Sequence, residues 1–506
     1  MSFRYSNLAQ VGMMMTESPL RDLAAIIRSR TPLIAVESNE EMQIVRLVRQ
    51  LGQQFQLKTF RWTVTEGLQA FDPYDQPQET VLTSQQILSH IKASSNSLFV
   101  LLDFQTYLED NVHIRFLKDI ALTCSKNYST VVLVGATLQV PEDLRPFTAH
   151  FRLPLPNADQ LRAIVYDVAG EWGAEHGQRE VHTTNKALDL LVRNLTGLTA
   201  TDARRLALKA INDNGVISES ELPDVMRAKY ELLGHDSPLS FEYETAKFAE
   251  IGGMQRLRQW LEARKSFFRD DGNDPLDPPR GMLLLGVQGC GKSLAAKAAA
   301  GIFGVPLLRL DFSVLYNKYF GETERNLRRA LETAEVMAPC VLWLDEIEKG
   351  LATSDGDDGL SRRVLGTLLT WMSERQKAVF VVATANDIER LPPEMVRKGR
   401  FDEVFFVDMP SAQNRRGIFE IHLRKRRLDP SEFDLDELVK ATQGFSGAEI
   451  EQAIVSAIYS ARAQERDMSQ EVLLAEINET RPLSVLMAEK VAELREWAEG
   501  RTVPCD

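Results

Sequence analysis

The chain has 506 residues, more than one ordinary domain holds, so we expect about two to four domains. Its composition, 44% apolar and 26% charged, is typical of globular proteins that fold in water. The formal net charge of −13 disfavours non-specific binding to nucleic acid, because phosphate groups would be repelled.

Cysteine usage and apolar runs indicate the compartment. The four cysteines are Cys124, Cys290, Cys340 and Cys505. Their spacing fits neither a disulfide framework nor a zinc site. No apolar run approaches the roughly 20 residues of a membrane span, and the first 20 residues lack the apolar core of a signal peptide. We therefore expect a cytoplasmic protein without a membrane span, in which residues 1–15 form a flexible extension.

The first half of the chain has the pattern of an α/β module. Three short apolar runs predict buried strands, at 31–36, 97–103 and 129–137. Helical patterns and a proline-containing turn follow them, so we predict an α/β module over 16–165 and a helical lid over 166–234. Residues 235–248 contain a proline, aromatic residues and acids without a helical period, which predicts a linker.

The clearest chemical signal begins at residue 281. The run GMLLL (281–285) predicts a buried strand, the P-loop sequence GVQGCGKS follows it, and a helix-forming segment comes next. Glycines let the backbone N–H groups of such a loop point at phosphate oxygens, and the helix N-terminus adds positive charge. Lys292 is expected to reach the β and γ phosphates, and Ser293 to hold Mg²⁺. The predicted ATP-binding residues of the loop are Gly286, Val287, Gln288, Gly289, Cys290, Gly291, Lys292, Ser293 and Leu294.

A second strand, 341–344, runs into Asp345 and Glu346. Charged residues at the carboxyl end of a buried strand lie in the ligand crevice of a parallel sheet. We predict that Asp345 binds Mg²⁺ and that Glu346 is the general base for the attacking water. Taken alone, a strand cap with two solvated acids would be the favoured interpretation, but the preceding P-loop favours catalysis.

A third strand, 378–386, ends on Asn386, whose neutral polar side chain suits the positioning of water or the γ-phosphate. Arg397 and Arg400 follow after a turn. Within one subunit these arginines would meet no phosphate, but across a subunit boundary they could act as arginine fingers, an effect of about 10³–10⁵-fold in rate. On spacing alone, a surface salt bridge is the favoured alternative.

Taken in order, these motifs resemble the AAA family of ATPases over about 248–455. The segment FAEIGGM (248–254), with Ile251 and Gly252, is similar to the part that lines the adenine pocket, and GFSGAEI (444–450), with Gly447 and Ala448, to the lid signature. The resemblance implies an active module over 249–410, and a lid with C-terminal helices over 411–506.

The same resemblance implies an Mg²⁺-dependent ATPase that assembles as a homo-oligomer, usually a hexameric ring, with the arginines acting in trans. Ser293 replaces the threonine expected after the lysine, and Cys290 stands where threonine is common. For Cys290, an oxidisable thiol and a plain structural residue are both open, and the second is favoured.

A further segment bears on the substrate. Lys318, Tyr319, Phe320 and Gly321 resemble the AAA pore loop, whose aromatic ring grips a threaded polypeptide. Aromatic rings contact side chains of many kinds, so this interpretation favours a protein substrate. The alternative is that both rings pack in the core.

The first half repeats the order of strands, proline turn and lid of the second. We therefore predict tandem AAA-type modules, each a parallel sheet flanked by helices with a helical lid, of which the first is degenerate. Its loop ESNEEM (37–42) places acids where phosphates would lie. We match Asp103 with Asp345 and Phe104 with Glu346, so the general base is expected to be absent. Thr137 falls near the place of Asn386, and Arg145 matches Arg397.

Over nearly the whole chain, the sequence resembles an AAA family first noticed as a hypothetical open reading frame of algal chloroplasts, and found also in cyanobacteria and other bacteria. The segments RWTVTEG (61–67), SRRVLGTLLTWM (361–372) and 481–504 carry this resemblance. It extends the expected location to a compartment like the plastid stroma.

The leading hypothesis is an ATPase ring that remodels or threads protein. A regulatory or assembly scaffold switched by ATP is the alternative, and the net charge disfavours a nucleic-acid translocase.

Overall fold

The computed structural model describes residues 17–71, 82–211, 215–218, 221–233, 238–242, 252–269, 278–315, 322–351, 358–397 and 399–506. The chain forms two compact units, Met1–Leu222 and Pro223–Asp506. The predicted extension over 1–15 lies outside the described residues. No helix among the described residues has both the length and the hydropathy that crossing a membrane requires.

The first unit contains a six-stranded sheet with the order β3-β2-β4-β5-β1-β6. Its strands are β1 (Leu33–Glu37), β2 (Lys58–Thr63), β3 (Gly67–Ala70), β4 (Ser97–Leu102), β5 (Thr130–Gly135) and β6 (Thr148–Phe151). All neighbours are parallel except β2 and β3. The flanking helices span Glu17–Arg28, Glu41–Phe55, Ser84–Ala93 and Asn111–Asn127, with short 3-10 helices at Phe104–Tyr107 and Arg145–Phe147.

A helical part completes the first unit. Its helices span Ala158–Glu175, Asn185–Leu195 and Ala200–Ala210, and a two-stranded sheet joins β7 (His182–Thr183) to β8 (Val216–Ile217). Side-chain caps at Asn157, Thr184 and Thr199 start the three helices. Such caps satisfy N–H groups that a helix leaves unpaired at its first turn.

The second unit contains a seven-stranded sheet with the order β15-β14-β10-β13-β12-β11-β9. Its strands are β9 (Leu239–Glu242), β10 (Gly281–Gly286), β11 (Leu307–Asp311), β12 (Cys340–Asp345), β13 (Val379–Ala385), β14 (Glu403–Val407) and β15 (Val503–Pro504). The predicted α/β class is confirmed, but the two large sheets are mixed: β3 and β9 are antiparallel edge strands.

The helices of the second unit fall into two groups. One group flanks this sheet, and the other follows it along the chain and forms the predicted lid. Those around the sheet span Gln255–Arg269, Lys292–Phe303, Phe312–Leu315, Glu322–Val336, Ile347–Leu351 and Asp358–Glu374. Those of the predicted lid span Ala412–Lys425, Leu435–Ala441, Gly447–Ala463 and Gln470–Glu479, with a 3-10 helix at Pro430–Glu432. Leu483–Leu486 and Ala488–Ala498 follow, before β15.

Burial on both faces explains the apolar runs of the central strands. Strands β10 and β13 are buried throughout, as expected of parallel strands covered by helices on both sides. Alanines of the helix Lys292–Phe303 are fully buried against this sheet. Their small side chains let the helix that follows the P-loop approach the sheet closely. The lid has its own core around Phe419, Ile450 and Leu473.

The two compact units divide between Leu222 and Pro223, within the segment that is predicted as the first lid. The helix Leu222–Leu233, predicted as part of the first lid, belongs almost entirely to the second unit, where Lys229 Nζ donates to Val336 O at 2.6 Å. The predicted linker, 235–248, contains β9, which pairs with β11. The pattern of β9, four residues long, is too short to be recognised from sequence. Its partner, β11, is distant along the chain, so no local signal indicates the pairing.

Candidate functional site

The P-loop connects β10 to the helix Lys292–Phe303 by five residues, 287–291. Gly289 and Gly291 have φ angles of +78° and +98°, a region that side chains disfavour. A Cβ on Gly289 would lie 3.0 Å from Ser446 Oγ and 3.2 Å from Ala448 Cβ. Gly291 precedes the helix without a side-chain cap, so the helix N-terminus can receive an anion.

Lys292 is held by the loop that it follows. Its Nζ donates to Gly286 O at 2.8 Å and to Val287 O at 2.9 Å. The side chain is buried, and this burial lowers the pKa of Lys292 to about 8. An ammonium group has three donors, so one remains for a phosphate oxygen. Ser293, the next residue, is exposed to the cavity described below.

Asp345 lies at the carboxyl end of β12 and is oriented by two neighbouring strands. Thr384 Oγ1 on β13 donates to Asp345 Oδ1 at 2.8 Å, and Arg309 Nη2 on β11 donates to Asp345 Oδ2 at 2.8 Å. Sequence reasoning missed Arg309 and Thr384. The parallel register brings them beside Asp345, but neither belongs to a recognisable motif.

Glu346 has a φ of +47°, which turns the chain at the end of β12. Its backbone N–H donates to Thr384 Oγ1 at 3.1 Å, and Asn386 Nδ2 donates to Glu346 Oε1 at 3.0 Å. Lys349 forms an ion pair with the other carboxylate oxygen. The predicted general base and Asn386 are thus in direct contact.

Glu348 fixes the position of Asn386, which contacts the predicted general base. Its Oε1 accepts the backbone N–H of Asn386 at 3.0 Å, and its other oxygen is buried without a partner. Burial raises the pKa of Glu348. No sequence motif pointed to this residue, although it follows Glu346 by two positions.

Lys292, Asp345, Glu346 and Asn386 line one cavity of about 950 Å³. The predicted residues that line it are Gly252, Gln288, Gly289, Cys290, Gly291, Lys292, Ser293, Leu294, Asp345, Glu346, Asn386, Gly447 and Ala448. Gly286 and Val287 do not line it, and their backbone oxygens accept hydrogen bonds from Lys292, which does. Ile251 and the predicted pore loop, Lys318, Tyr319, Phe320 and Gly321, lie outside the described residues.

Further lining residues come from the lid and were not predicted. Those on the helix Ala412–Lys425 are Ile418, Ile421, His422 and Lys425. Their spacing of three and four residues places them on one helix face, a signal that could have found them. Glu451 lies opposite, 3.3 Å from His422 and 2.9 Å from Arg426. Burial lowers the pKa of His422.

The lid touches the P-loop directly. Ala448 N, near the start of the helix Gly447–Ala463, donates to Gly289 O at 3.1 Å. The N-cap Ser446 and Glu449 form a capping box that fixes this helix end. The predicted lid signature, 444–450, therefore meets the P-loop within one cavity.

Arg397 and Arg400 do not line the cavity. Arg397 is exposed, and Arg400 is half-buried with its Nη1 buried and unpartnered. Neither forms an ion pair with another described residue. Cys290 Sγ lies 3.6 Å from Met409 Sδ, and burial raises the pKa of its thiol to about 12. Since the reactive form is the thiolate, the structural alternative for Cys290 is favoured.

The corresponding region of the first unit has a different register from the expected one. Asp103 has a φ of +55° and is followed by buried Phe104, as Glu346 with +47° is followed by buried Ile347. Leu102 packs on the side of the sheet covered by Glu41–Phe55, and the helix Lys292–Phe303 covers the matching side at β12. Asp103 therefore occupies the place of Glu346, and Leu102 that of Asp345.

The expected match of Phe104 with Glu346 is wrong by one residue, because two similar apolar runs were aligned on their aspartates. The same register gives Ala136, rather than Thr137, the place of Asn386. Glu346, the predicted general base, thus has a counterpart in Asp103, whereas Asp345, the predicted metal ligand, has no carboxylate counterpart in the first unit. Arg145 is exposed and lies 3.6 Å from Glu142.

Comparison with known proteins covers both units. The family model for the "ATPase family associated with various cellular activities (AAA)" matches residues 282–409, and the AAA+ lid domain matches 432–475. Models of the SpoVK-like AAA ATPase N-terminal and second domains match 19–153 and 159–236.

Whole-length relatives agree with these family models. The chain is 34% identical over 498 residues to the AAA domain-containing protein ycf46 of Pyropia yezoensis, covering 95% of this chain and 98% of the relative. It is 32% identical to the ycf46 protein of Trieres chinensis, covering 95% and 96%. The proteasome-activating nucleotidase of Aeropyrum pernix is 32% identical over 315 residues, covering 60% and 73%.

Proposed function

The chain belongs to the ycf46 family of AAA ATPases, and we propose that it hydrolyses ATP in a homo-oligomeric ring in order to remodel or thread a protein substrate. The observation that carries this proposal is one cavity in which the P-loop, Asp345, Glu346, Asn386 and the lid meet.

The loop residues fit a nucleotide triphosphate. The glycine conformations bring the loop backbone close to the lid, and the uncapped helix N-terminus supplies donors and positive charge. Lys292 adds a cationic donor beside them. We assign the binding of the phosphates to 286–294, and the enclosure of the rest of the nucleotide to Gly252 and to Gly447 and Ala448 of the lid.

Ser293 and Asp345 would hold Mg²⁺, which in nucleotide sites takes one or two protein oxygens in addition to phosphate oxygens. Both residues line the cavity, and their oxygen donors suit this ion. When bound, Mg²⁺ supplies neutralisation of the charge on the phosphates. The hydrogen bonds from Thr384 and Arg309 fix the orientation of the Asp345 carboxylate at the end of β12.

Glu346 is assigned the role of general base. Its carboxylate would accept a proton from the water that attacks the γ-phosphorus, while Asn386 holds the carboxylate through Nδ2 and orients the water. The bond between the γ-phosphorus and the bridging oxygen of ADP breaks as the new bond to water forms. Lys292 stabilises the negative charge that moves to the phosphate oxygens.

Arg397 and Arg400 are assigned to the site of a neighbouring copy. Neither reaches the cavity of its own chain, and the buried Nη1 of Arg400 has no acceptor among the described residues. A ring, commonly hexameric in this family, would bring both side chains to a phosphate across the boundary. The acceleration expected from such a residue is about 10³–10⁵-fold.

The protein substrate is inferred from the residues of the predicted pore loop and from the name of one relative, a proteasome-activating nucleotidase. A scaffold that is switched by ATP and threads nothing is the second candidate. The two differ in whether an unfolded polypeptide stimulates hydrolysis.

The test measures phosphate release with and without an unfolded protein. Tyr319→Ala should lose the stimulation and retain basal hydrolysis, because in this proposal the aromatic side chain of Tyr319 contacts the substrate and not the nucleotide. Tyr316→Ala, in the same segment, is the matched control and should keep the stimulation. Stimulation that survives Tyr319→Ala would favour the scaffold, and a monomeric complex of Glu346→Gln with ATP would contradict the ring.

A further inference from the structure

The last residues of the sequence are part of the second sheet. Strand β15 pairs in parallel with β14, through Val503 beside Phe405 and Pro504 beside Phe406. Cys505 N donates to Phe406 O at 3.2 Å, and the Cys505 side chain is buried. This segment is therefore fixed to the edge of the ATPase core.

The same segment caps the helix Gln255–Arg269. Cys505 O accepts the N–H groups of Arg256 at 3.0 Å and of Leu257 at 3.1 Å. These N–H groups belong to the first turn, where a helix has no internal acceptor for them. The segment 503–506 thereby holds the chain just after Gly252 and Met254, which line the nucleotide cavity.

Asp506 links two walls of that cavity. One oxygen of its carboxylate accepts the backbone N–H of Met254, and the other accepts Asn414 Nδ2 at 2.7 Å. Asn414 lies on the helix Ala412–Lys425, which carries the lid side of the cavity. One side chain thus bonds both to the core wall and to the lid.

The two walls approach at backbone distance beside this carboxylate. A Cβ on Gly253, whose φ is +109°, would lie 2.6 Å from Asn414 Nδ2, and a Cβ on Gly252 would lie 2.7 Å from Ile418 Cγ1. The segment Gly252–Met254 therefore lies in close contact with the lid helix at Asn414 and Ile418.

We propose that Asp506 is a positioning residue of the nucleotide pocket, which sets nucleotide affinity by fixing the segment Gly252–Met254 against the lid helix. The inference rests on the proposed ATP site and adds a residue that touches neither the phosphates nor the catalytic side chains. Its loss is expected to weaken binding and to leave the chemical step unchanged.

The test uses the full chain and a fluorescent, non-hydrolysable ATP analogue, together with steady-state hydrolysis. Asp506→Ala should raise Kd and KM by about tenfold, the usual scale for losing hydrogen bonds to a charged group, with kcat within about twofold of the parent. Asn414→Ala should weaken binding as well, and the double variant should bind no worse than Asp506→Ala, because Asp506→Ala already removes the bond to Asn414 together with the bond to Met254.

Two controls separate positioning from general damage. Glu499→Ala removes an exposed acid from the turn before β15 and should bind normally. Asp506→Asn retains an acceptor for the Met254 N–H and should recover part of the affinity. A tenfold loss that appears equally in Glu499→Ala, or unchanged binding in both Asp506→Ala and Asn414→Ala, would overturn the inference.

The parent protein distinguishes this inference from the function on which it rests. Binding of the analogue that is lost in Lys292→Ala supports the ATP site, whatever the Asp506 variants do. If the parent shows no Lys292-dependent binding, both the ATP site and the role of Asp506 are overturned.

Discussion

Each lid bonds to the loop that follows the first central strand of its unit. The lid residue occupies the same helix position in both units, but the acceptor on the loop differs. In the second unit, Ala448 N donates to the backbone oxygen of Gly289 at 3.1 Å. In the first unit, the corresponding Thr201 donates its N–H and its hydroxyl to the carboxylate of Glu40, each at 2.9 Å. Both residues follow the N-cap by two positions, Thr201 after Thr199 and Ala448 after Ser446.

The loops beneath these lids explain the difference. The first unit has three residues, 38–40, between strand and helix, and the second has five, 287–291. The first helical residue is Glu41 in one unit and Lys292 in the other. Burial and the charge of Asp103 raise the pKa of Glu41, whereas burial lowers that of Lys292. The short acidic loop bonds to its lid through the Glu40 side chain, whereas the longer glycine loop bonds through the backbone of Gly289 and lines a cavity.

The strongest test of this comparison removes an acid from each unit. Glu346→Gln should reduce hydrolysis by about 10²–10⁴-fold, because general-base catalysis contributes on that scale. Asp103→Asn changes the corresponding position of the first unit and should leave hydrolysis within about twofold, since Leu102 stands where the second unit has Asp345, the proposed metal ligand. Phosphate release measures both, and a large loss in Asp103→Asn would show that the first unit also hydrolyses ATP.

A pH series tests the lysine. Burial lowers the pKa of Lys292 from 10.5 to about 8, so the folded chain releases this proton where the unfolded chain keeps it. Stability of the nucleotide-free protein should therefore rise with pH between about 8 and 10.5, because the unfolded state binds more protons there.

Nucleotide affinity should change in the opposite direction. It should fall by up to about tenfold per pH unit above pH 8, because phosphate binding requires the charged amine. Titrations of the ATP analogue from pH 7 to 9.5 measure this effect. Lys292→Arg keeps its charge, so its affinity, whatever its absolute value, should not show the decline; the same decline in Lys292→Arg would assign it to another group.

The smallest expected effect concerns the first lid. Glu40→Ala should lower the opening free energy of the helix Ala200–Ala210 by about 1–2 kcal/mol, because Thr201 loses a charged acceptor at a partly exposed helix terminus. Hydrogen exchange of these amides should become about 5–30-fold faster. Glu175→Gln, an exposed acid in the same unit, is the control, and ATP hydrolysis should not change. Unaltered exchange would mean that Glu40 does not hold this lid.

The sequence predicts which residues lie together where a motif contains its own geometry, and the structure places these residues around one cavity. The P-loop, Asp345, Glu346 and Asn386 were identified because each stands at the end of an apolar strand, and parallel strands place such ends together. The register of the first unit was predicted one residue out, since an apolar run carries no information about which face a given residue covers. The strand β9 was missed because its partner, β11, is remote in sequence.

The sequence by itself therefore determined the α/β class, the repeat of two modules and the chemistry of the second one. These follow from local order, since strand, loop and helix are consecutive in the chain. Only the tertiary structure decided that Arg309 and Thr384 bond to Asp345, that Thr201 bonds to Glu40, and that Asp506 joins Met254 to Asn414. Each of these contacts joins residues far apart in sequence, whose proximity depends on how strands are ordered in the sheet and how the lid packs against it.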